Sequence, residues 1–399
     1  MPTTPDPGGT ASLTADLGPT PRPVLSIEEG GVRQPRSAHE QHIPELDGLR
    51  CFAALIVIWQ HAASTRFPTF GQSGVGVYGV WLFFVLSGFL ITGILLRVRD
   101  RGTSVRRALR AFYARRFLRI VPLYIVVVLT CAALGIGESF RRDMVWHLAY
   151  LSNWLYALRG SWGDVATPLW SLAIEEQFYL FWPLVVLLTP RRQFSKVLVA
   201  VILLGPLTRI VFMQEFGAVS VRMLPPTPAE FDSLGLGALL ALRQHEHGSA
   251  SPAVARLGRR AMWSGLATMT IVALVTVVER GWRLMSVTEA GGVALLSTWL
   301  VQIAVHGFGS SRLSRAAAGL LSATPVQYLG RISYGLYLLH SPVLWALERY
   351  GIKNLVDVSR ATSAVYFGLA VSITVCIASL SWFCFESPLN SLKSRFTYR

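Results

Sequence analysis

The sequence predicts an all-α fold: a polytopic transmembrane helical bundle of about ten spans, with the N and C termini in the cytoplasm. Three observations carry that prediction. Of 399 residues, 52% are apolar and only 15% are charged, with a mean hydropathy of +0.46; soluble domains carry roughly 25% charged residues. The charges gather between long apolar runs, several of which approach the ~20 residues that cross a hydrocarbon core. Basic residues also rise and fall from one connecting segment to the next, as they do when cytoplasmic loops are positive.

In chain order the predicted spans are 46–64, 76–96, 117–136, 168–189, 197–213, 231–242, 262–278, 288–308, 332–347 and 363–385. The sixth is short and rich in glycine. The stretch 144–158 is too polar to span and is expected to form an interfacial or re-entrant helix. With the N-terminus inside, the five later segments facing the cytoplasm carry 22 Arg and Lys, about twice the number in the five intervening ones. This alternation accounts for the net charge of +15, so nucleic acid is not an expected partner. Membrane lipid is.

Residues 1–42 are rich in Pro, Gly and Thr without an apolar core, which predicts a disordered cytoplasmic tail. They lack the apolar h-region of a signal peptide, so the first span is expected to serve as the targeting signal. The membrane domain is placed at 43–390 and a cytoplasmic C-terminal tail at 391–399. Cys51, Cys131, Cys376 and Cys384 lie in or beside apolar spans with no metal spacing, and are read as small buried packing residues. No metal site is expected. The chain has no Walker A, GxSxG or HExxH sequence.

Ionisable groups within a span are costly, so each is a candidate for function. The first span holds Arg50 and His61. Eleven residues of helix end about 20° past three full turns, which puts the two on one face, roughly 16 Å apart. Asp47, one turn before Arg50, is placed to pair with it. His61 has no partner in its own helix; its imidazole is suited to take a proton from a hydroxyl. A histidine bonded structurally to a neighbouring helix is the alternative.

PLWSLAIEEQFYLFWPL, at 168–184, embeds Glu175 and Glu176 among aromatic and aliphatic side chains. Neighbouring carboxylates point about 100° apart on a helix, so they serve different partners. One would orient a histidine or hold a cation and the other would pair with an arginine; a purely structural Arg–Glu pair stands beside this reading. In FYARRFLRIVPLY, Arg116 and Arg119 sit at the cytoplasmic mouth of the third span. Arginine suits phosphate through two-pronged hydrogen bonding, and lipid headgroups would satisfy the same pair. Ser87 and Gly88 read as small residues for close helix packing. In ISYGLYLLHSP, His340 and Pro342 line a cavity in one reading and flank interfacial tyrosines in the other.

Together these segments resemble the polytopic membrane acyltransferases of the acyltransferase 3 family. LDGLRCFAALIVIWQH, FFVLSGFLI, RFLR at 116–119, PLWSLAIEEQFYLFWPL and ISYGLYLLH follow the family's order over about Ile43 to Pro388. The resemblance implies transfer of an acetyl or other short acyl group from acyl-CoA, a co-substrate rather than a bound cofactor. The acceptor would be a hydroxyl on a carbohydrate or glycosylated natural product, such as an envelope polysaccharide or a macrolide-type antibiotic. It implies His61 as the catalytic histidine with Arg50 its partner, and Arg116 and Arg119 handling the donor. Beside it, Glu175 or Glu176 is expected to orient or charge-balance the site. His61 would act as general base, or carry the acyl group transiently. Some members add an extracytoplasmic hydrolase-like domain, whereas this sequence ends at Arg399, soon after the last span. A transporter or flippase using the same intramembrane charges is the competing reading. Either way the chain is expected in the cell membrane, crossing it many times.

Overall fold

The computed structural model describes residues 43–66, 74–216, 224–279, 285–307, 309, 311–351 and 360–398. The predicted disordered tail, 1–42, lies outside them. Among the described residues every regular element is helical and no strand is present.

Helix α1 (Pro44–Arg66) starts where the sequence supplies a proline, with Glu45 and Asp47 in the first turn. Proline's fixed φ and acidic side chains both suit a helix N-terminus. Helices α2 (Gly76–Asp100) and α3 (Val105–Leu134) follow, and α3 stops at Gly135, where φ is 67°. Three short helices come next, α4 (Glu138–Arg142), α5 (Met144–Leu148) and α6 (Ser152–Arg159). Then come α7 (Leu169–Leu188), α8 (Arg191–Phe216), α9 (Phe231–His247), α10 (Pro252–Glu279) and α11 (Met285–His306). Short α12 (Arg312–Leu321) and α13 (Thr324–Arg331) lead to α14 (Ser333–Arg349) and α15 (Arg360–Ser381). A π turn at Trp382–Glu386 and α16 (Ser387–Ser391) complete the order.

Each predicted span falls on one of the long helices. Among the described residues six runs are long and apolar enough to cross a membrane: α2, α3, α7, α8, most of α11, and Ala364–Arg395, which continues α15. Helices α9 and α14 have only 17 residues each, short of the ~20 a full crossing takes. Helix α3 begins at Val105, well before the predicted 117, because its Arg-rich opening is helix-forming although not apolar. Along α8 the side chains of Val199, Leu203, Leu207 and Val211 are between 46% and 61% exposed. At four-residue spacing they form one continuous apolar stripe, a surface made for acyl chains rather than water. The protein is a membrane protein.

Helices α2 and α9 cross closely. A Cβ on Gly88 would lie 1.9 Å from the Leu234 carbonyl oxygen, and one on Gly237 would lie 2.0 Å from that of Val85. Only hydrogen fits at either point, which is how small residues let membrane helices approach. The glycine-rich sixth span is therefore short but tightly seated, and Gly88 has the packing role predicted for it.

A buried ion pair joins α8 to α9. Arg209 is fully buried, and its guanidinium donates to both carboxylate oxygens of Asp232 and to the backbone carbonyls of Ala229 and Val287. Beside it the Trp81 indole N–H donates to Glu230 Oε2 at 2.8 Å. Arg209 and Asp232 both lie inside predicted spans. They are charges in the membrane with a structural purpose.

The stretch 144–158, predicted as an interfacial or re-entrant helix, is two short helices broken at Tyr150, whose φ is 54°. One side is tied into the bundle, with Asn153 and Ser152 fully buried, while Val145 and Leu158 are exposed. Gln177 of α7 donates to Asn153 Oδ1 at 2.9 Å and to the Tyr150 carbonyl at 2.8 Å. Asn153 in turn donates to the Pro225 carbonyl and Thr227 Oγ1, both at 2.9 Å. Just before this segment Asp143, nearly buried, accepts from Arg159 through both oxygens at 2.7 and 2.8 Å and from Arg142 at 3.0 Å. The Arg159 hydrogen bonds, assisted by Arg142, hold its carboxyl well below the usual carboxylate range. Because the folded state lowers this pKa and favours the carboxylate, its contribution is present above the unfolded value of about 4 and fades as pH falls below it. Asp143→Asn is therefore expected to lower stability near pH 7 by about 1–2 kcal/mol. The gap to the parent protein should close below about pH 4, as read by thermal unfolding in detergent across that range.

The predicted C-terminal tail is docked through Tyr398. Its carbonyl accepts from Thr103 Oγ1 at 2.7 Å, while Arg115 donates to the carbonyls of Lys393 and Phe396 at 3.2 and 3.3 Å. All four cysteines are free; Cys51 and Cys131 are buried as expected, but Cys376 and Cys384 are exposed. The latter two lie on or just after α15, whose apolar surface is turned outward.

Candidate active site

Five helices converge on one cavity. Helix α1 supplies Arg50, α2 supplies Phe83, Phe84 and Ser87, α3 supplies Arg116 and Arg119, α7 supplies Ser171, Glu175 and Tyr179, and α14 supplies Tyr334 and Tyr337. Its volume, as the space a water-sized sphere can occupy, is about 80 Å³. The cavity thus gathers three arginines with a single lining carboxylate, Glu175.

Arg50 pairs with Asp47 at 3.3 Å, as the spacing predicts. Arg116 lies over the rings of Phe112 and Tyr179, at 5.7 and 5.2 Å from their centroids, a contact that suits a planar cation. Glu175 is bonded to neutral partners. Ser87 Oγ donates to it at 2.7 Å and the Tyr179 hydroxyl at 3.2 Å. The expected arginine–glutamate pair is not formed: among the described residues neither Glu175 nor Glu176 makes an ion pair within 4 Å. The reason is geometric, since Asp47 on the arginine's own helix takes Arg50. Glu176 does not line the cavity, and its Oε1, like the Tyr150 hydroxyl, has no hydrogen-bond partner among the described residues. The two carboxylates do point different ways, as adjacent helical positions must.

His61 is not in the cavity lining. Its Nδ1 lies 2.9 Å from the Val57 carbonyl, one turn back on α1, and 3.3 Å from His340 Nε2 on α14. The ring centroids are 4.9 Å apart. So His61 has a partner in its own helix after all, but a backbone one, which side-chain spacing does not reveal. His340 is fully buried, and its Nδ1 lies 2.6 Å from the Tyr337 carbonyl. The Tyr337 ring packs edge-on against His340, with centroids 5.6 Å apart, and its hydroxyl meets Ser171 Oγ at 2.5 Å. Tyr337 thus stands between the cavity and the histidine pair. The shared face of Arg50 and His61 spans both sides of this wall: Arg50 reaches the cavity, and His61 the pair behind it.

Protonation at each histidine follows from its carbonyl contact. A ring nitrogen facing a carbonyl must carry hydrogen. His340 is then protonated at Nδ1 and accepts at Nε2, and His61 donates its Nδ1–H to both Val57 and His340. In a neutral ring this leaves His61 Nε2 with a lone pair and no partner among the described residues. That is the state a general base requires.

Of the two readings of the 332–342 segment, the structure puts Tyr337 in the cavity lining and His340 behind it, paired with His61; Ser87, assigned to packing, is Glu175's donor. Among the described residues no group of three or more His, Cys, Asp or Glu is placed to hold a metal ion.

A helical membrane bundle with arginines, a buried carboxylate and a histidine pair along one internal path defines the class: a membrane protein with an intramembrane polar site. The chain belongs to the acyltransferase 3 family, whose model, described as an acyltransferase domain, matches residues 43–382. It is 32% identical over 378 residues to the putative peptidoglycan O-acetyltransferase YrhL of Bacillus subtilis, covering 89% of this chain and 56% of that one. With the peptidoglycan O-acetyltransferase OatA of Listeria monocytogenes it shares 30% identity over 370 residues, 88% of this chain and 56% of that one. A putative O-acetyltransferase of Staphylococcus aureus strain COL, SACOL0978, is 28% identical over 379 residues, 88% and 58% of the two chains. The chain therefore spans little more than half the length of the curated relatives it matches. No solved structure matches it significantly.

Proposed function

We propose that this protein is an O-acyltransferase that moves an acetyl or other short acyl group from acyl-CoA to a hydroxyl of a carbohydrate acceptor. The observation that carries the proposal is an arginine-lined cavity walled by Tyr337, behind which His61 keeps an Nε2 with no hydrogen-bond partner among the described residues. Family membership supports the reaction class. The two peptidoglycan acetyltransferases favour a glycan acceptor over a glycosylated natural product.

In this reading ten helices cross the membrane with both termini inside, and Arg116 and Arg119 take the donor's phosphates at the cytoplasmic end. His61 lies fifteen residues beyond Leu46, or about 22 Å along the helix, which places it in the outer half. His61 Nε2 removes the acceptor's hydroxyl proton as that oxygen attacks the thioester carbonyl. The tetrahedral adduct collapses with loss of the C–S bond, and the proton passes from the imidazolium to the coenzyme A thiolate, leaving ester and free thiol. Arg50, already in the cavity beside Arg116 and Arg119, reaches the donor rather than the acceptor hydroxyl. Glu175, held by Ser87 and Tyr179, balances the three arginines. Glu176, off the cavity, is left with a supporting role on the other face of α7.

The test is acceptor-dependent thiol release when membranes holding the protein are mixed with acetyl-CoA and muropeptides. Absence of both thiol and ester overturns the proposal. Arg116→Ala with Arg119→Ala is expected to raise the KM for acetyl-CoA by about 10- to 100-fold with kcat much less affected, given about 1.5–3 kcal/mol for hydrogen bonds to a charged group. Steady-state kinetics in the donor checks it, and an unchanged KM removes the phosphate role.

A further inference from the structure

We propose that His340 is the positioning residue of His61, fixing the tautomer and orientation that leave Nε2 free to act as base. The inference rests on His61 being that base, and adds a residue and a function to it.

The local chain dictates the arrangement. His340 lies on α14 three residues after Tyr337, so its Nδ1 reaches back to that residue's carbonyl at 2.6 Å. A carbonyl accepts only, which forces the hydrogen onto His340 Nδ1 and leaves Nε2 as an acceptor. That acceptor is 3.3 Å from His61 Nδ1. Full burial of His340 removes water as a substitute partner. The Val57 carbonyl, 2.9 Å from the same His61 nitrogen, holds it from within α1, but a helical carbonyl one turn back fixes only one edge of the ring. With His340 also accepting, the Nδ1–H is held between two helices, and the ring has a single orientation. Such outer contacts set tautomer and ring angle wherever a histidine does chemistry, and their loss costs about 10- to 100-fold at metal sites; a wrong tautomer in a hydrolytic triad costs more.

Proton transfer strengthens the same contact. When His61 Nε2 takes the hydroxyl proton, the ring becomes a cation and its Nδ1–H a stronger donor. A neutral His340 accepts it without itself changing charge. The proton never needs to move to His340, so the step balances on His61 alone.

Two replacements separate this role from simple packing. Glutamine at 340 fills much of the space and offers a carbonyl oxygen where Nε2 stood, whereas leucine fills it without an acceptor. His340→Leu is expected to lower kcat for acetyl transfer by about 10- to 100-fold with the acetyl-CoA KM within about twofold. His340→Gln is expected to keep kcat within about fivefold of the parent. In a His61→Ala background, His340→Leu is expected to change the residual rate by less than twofold, because a residue acting only through His61 has nothing left to act on. Equal loss in the Leu and Gln variants, no loss in either, or a further loss on top of His61→Ala would each overturn the proposal. The base reading fails separately: it falls if His61→Ala alone retains full transfer.

Discussion

Replacing His61 with alanine is expected to lower kcat for acetyl transfer by about 10²- to 10⁴-fold, the usual contribution of a positioned general base. The protein should still insert and bind donor. His61 contributes no cavity wall, and its hydrogen bonds among the described residues are to one backbone carbonyl and one histidine. Removing it deletes a base without unpairing an ion. The acetyl-CoA KM should accordingly stay within a few-fold while kcat falls, since the arginines at the far end of the cavity are untouched. Initial rates against donor concentration, at saturating muropeptide and equal protein level in the membrane, provide the check. Full retained activity would remove His61 from the chemistry. A loss confined to KM would make it a binding residue.

The second large effect is structural. Arg209→Leu leaves Asp232, and Glu230 beside it, buried without their cation, because the guanidinium is fully buried and the two acids are nearly so. Breaking a buried pair from one side costs about 3–5 kcal/mol, a large share of the net stability of most folded proteins. The expected result is protein that fails to reach the membrane in folded form, read by the yield of monodisperse material in detergent. Changing Asp232 to leucine as well should recover part of the loss, since paired charges replaced by apolar side chains of similar volume are often neutral. If the single and double variants both behave like the parent, the pair has no structural weight.

The two positions also show where sequence reading stops. The spans were legible because apolar length is a one-dimensional property, and each falls on a helix with ends shifted by charged but helix-forming residues such as those opening α3. His61, Arg50 and Glu175 stood out because a membrane makes polar groups costly. Arg209 and Asp232 break the same rule inside predicted spans, yet they close on one another between α8 and α9. Spacing within one helix gives no sign of that. The partner of His61 was equally hidden: His340 is 279 residues away in sequence, and only the packing of α1 against α14 brings the rings together. One of Glu175 and Glu176 was expected to pair with an arginine; Glu175 instead holds a serine and a tyrosine from its own and a neighbouring helix, partners that spacing along one helix does not show. The stretch 144–158 is held by Gln177 on another element, which bonds Asn153 and the Tyr150 carbonyl; polarity alone, which suggested an interfacial or re-entrant helix, gives no sign of that partner.

The central claim, chemistry at an intramembrane histidine, is tested most directly by following the acyl group. Purified protein in lipid vesicles, given acetyl-CoA labelled in the acetyl carbonyl together with muropeptides, should yield one alkali-labile ester on the glycan for each free thiol released. Both products should fall together in the His61→Ala protein. Label that stays entirely on coenzyme A, with no ester formed by the parent protein, would contradict the account.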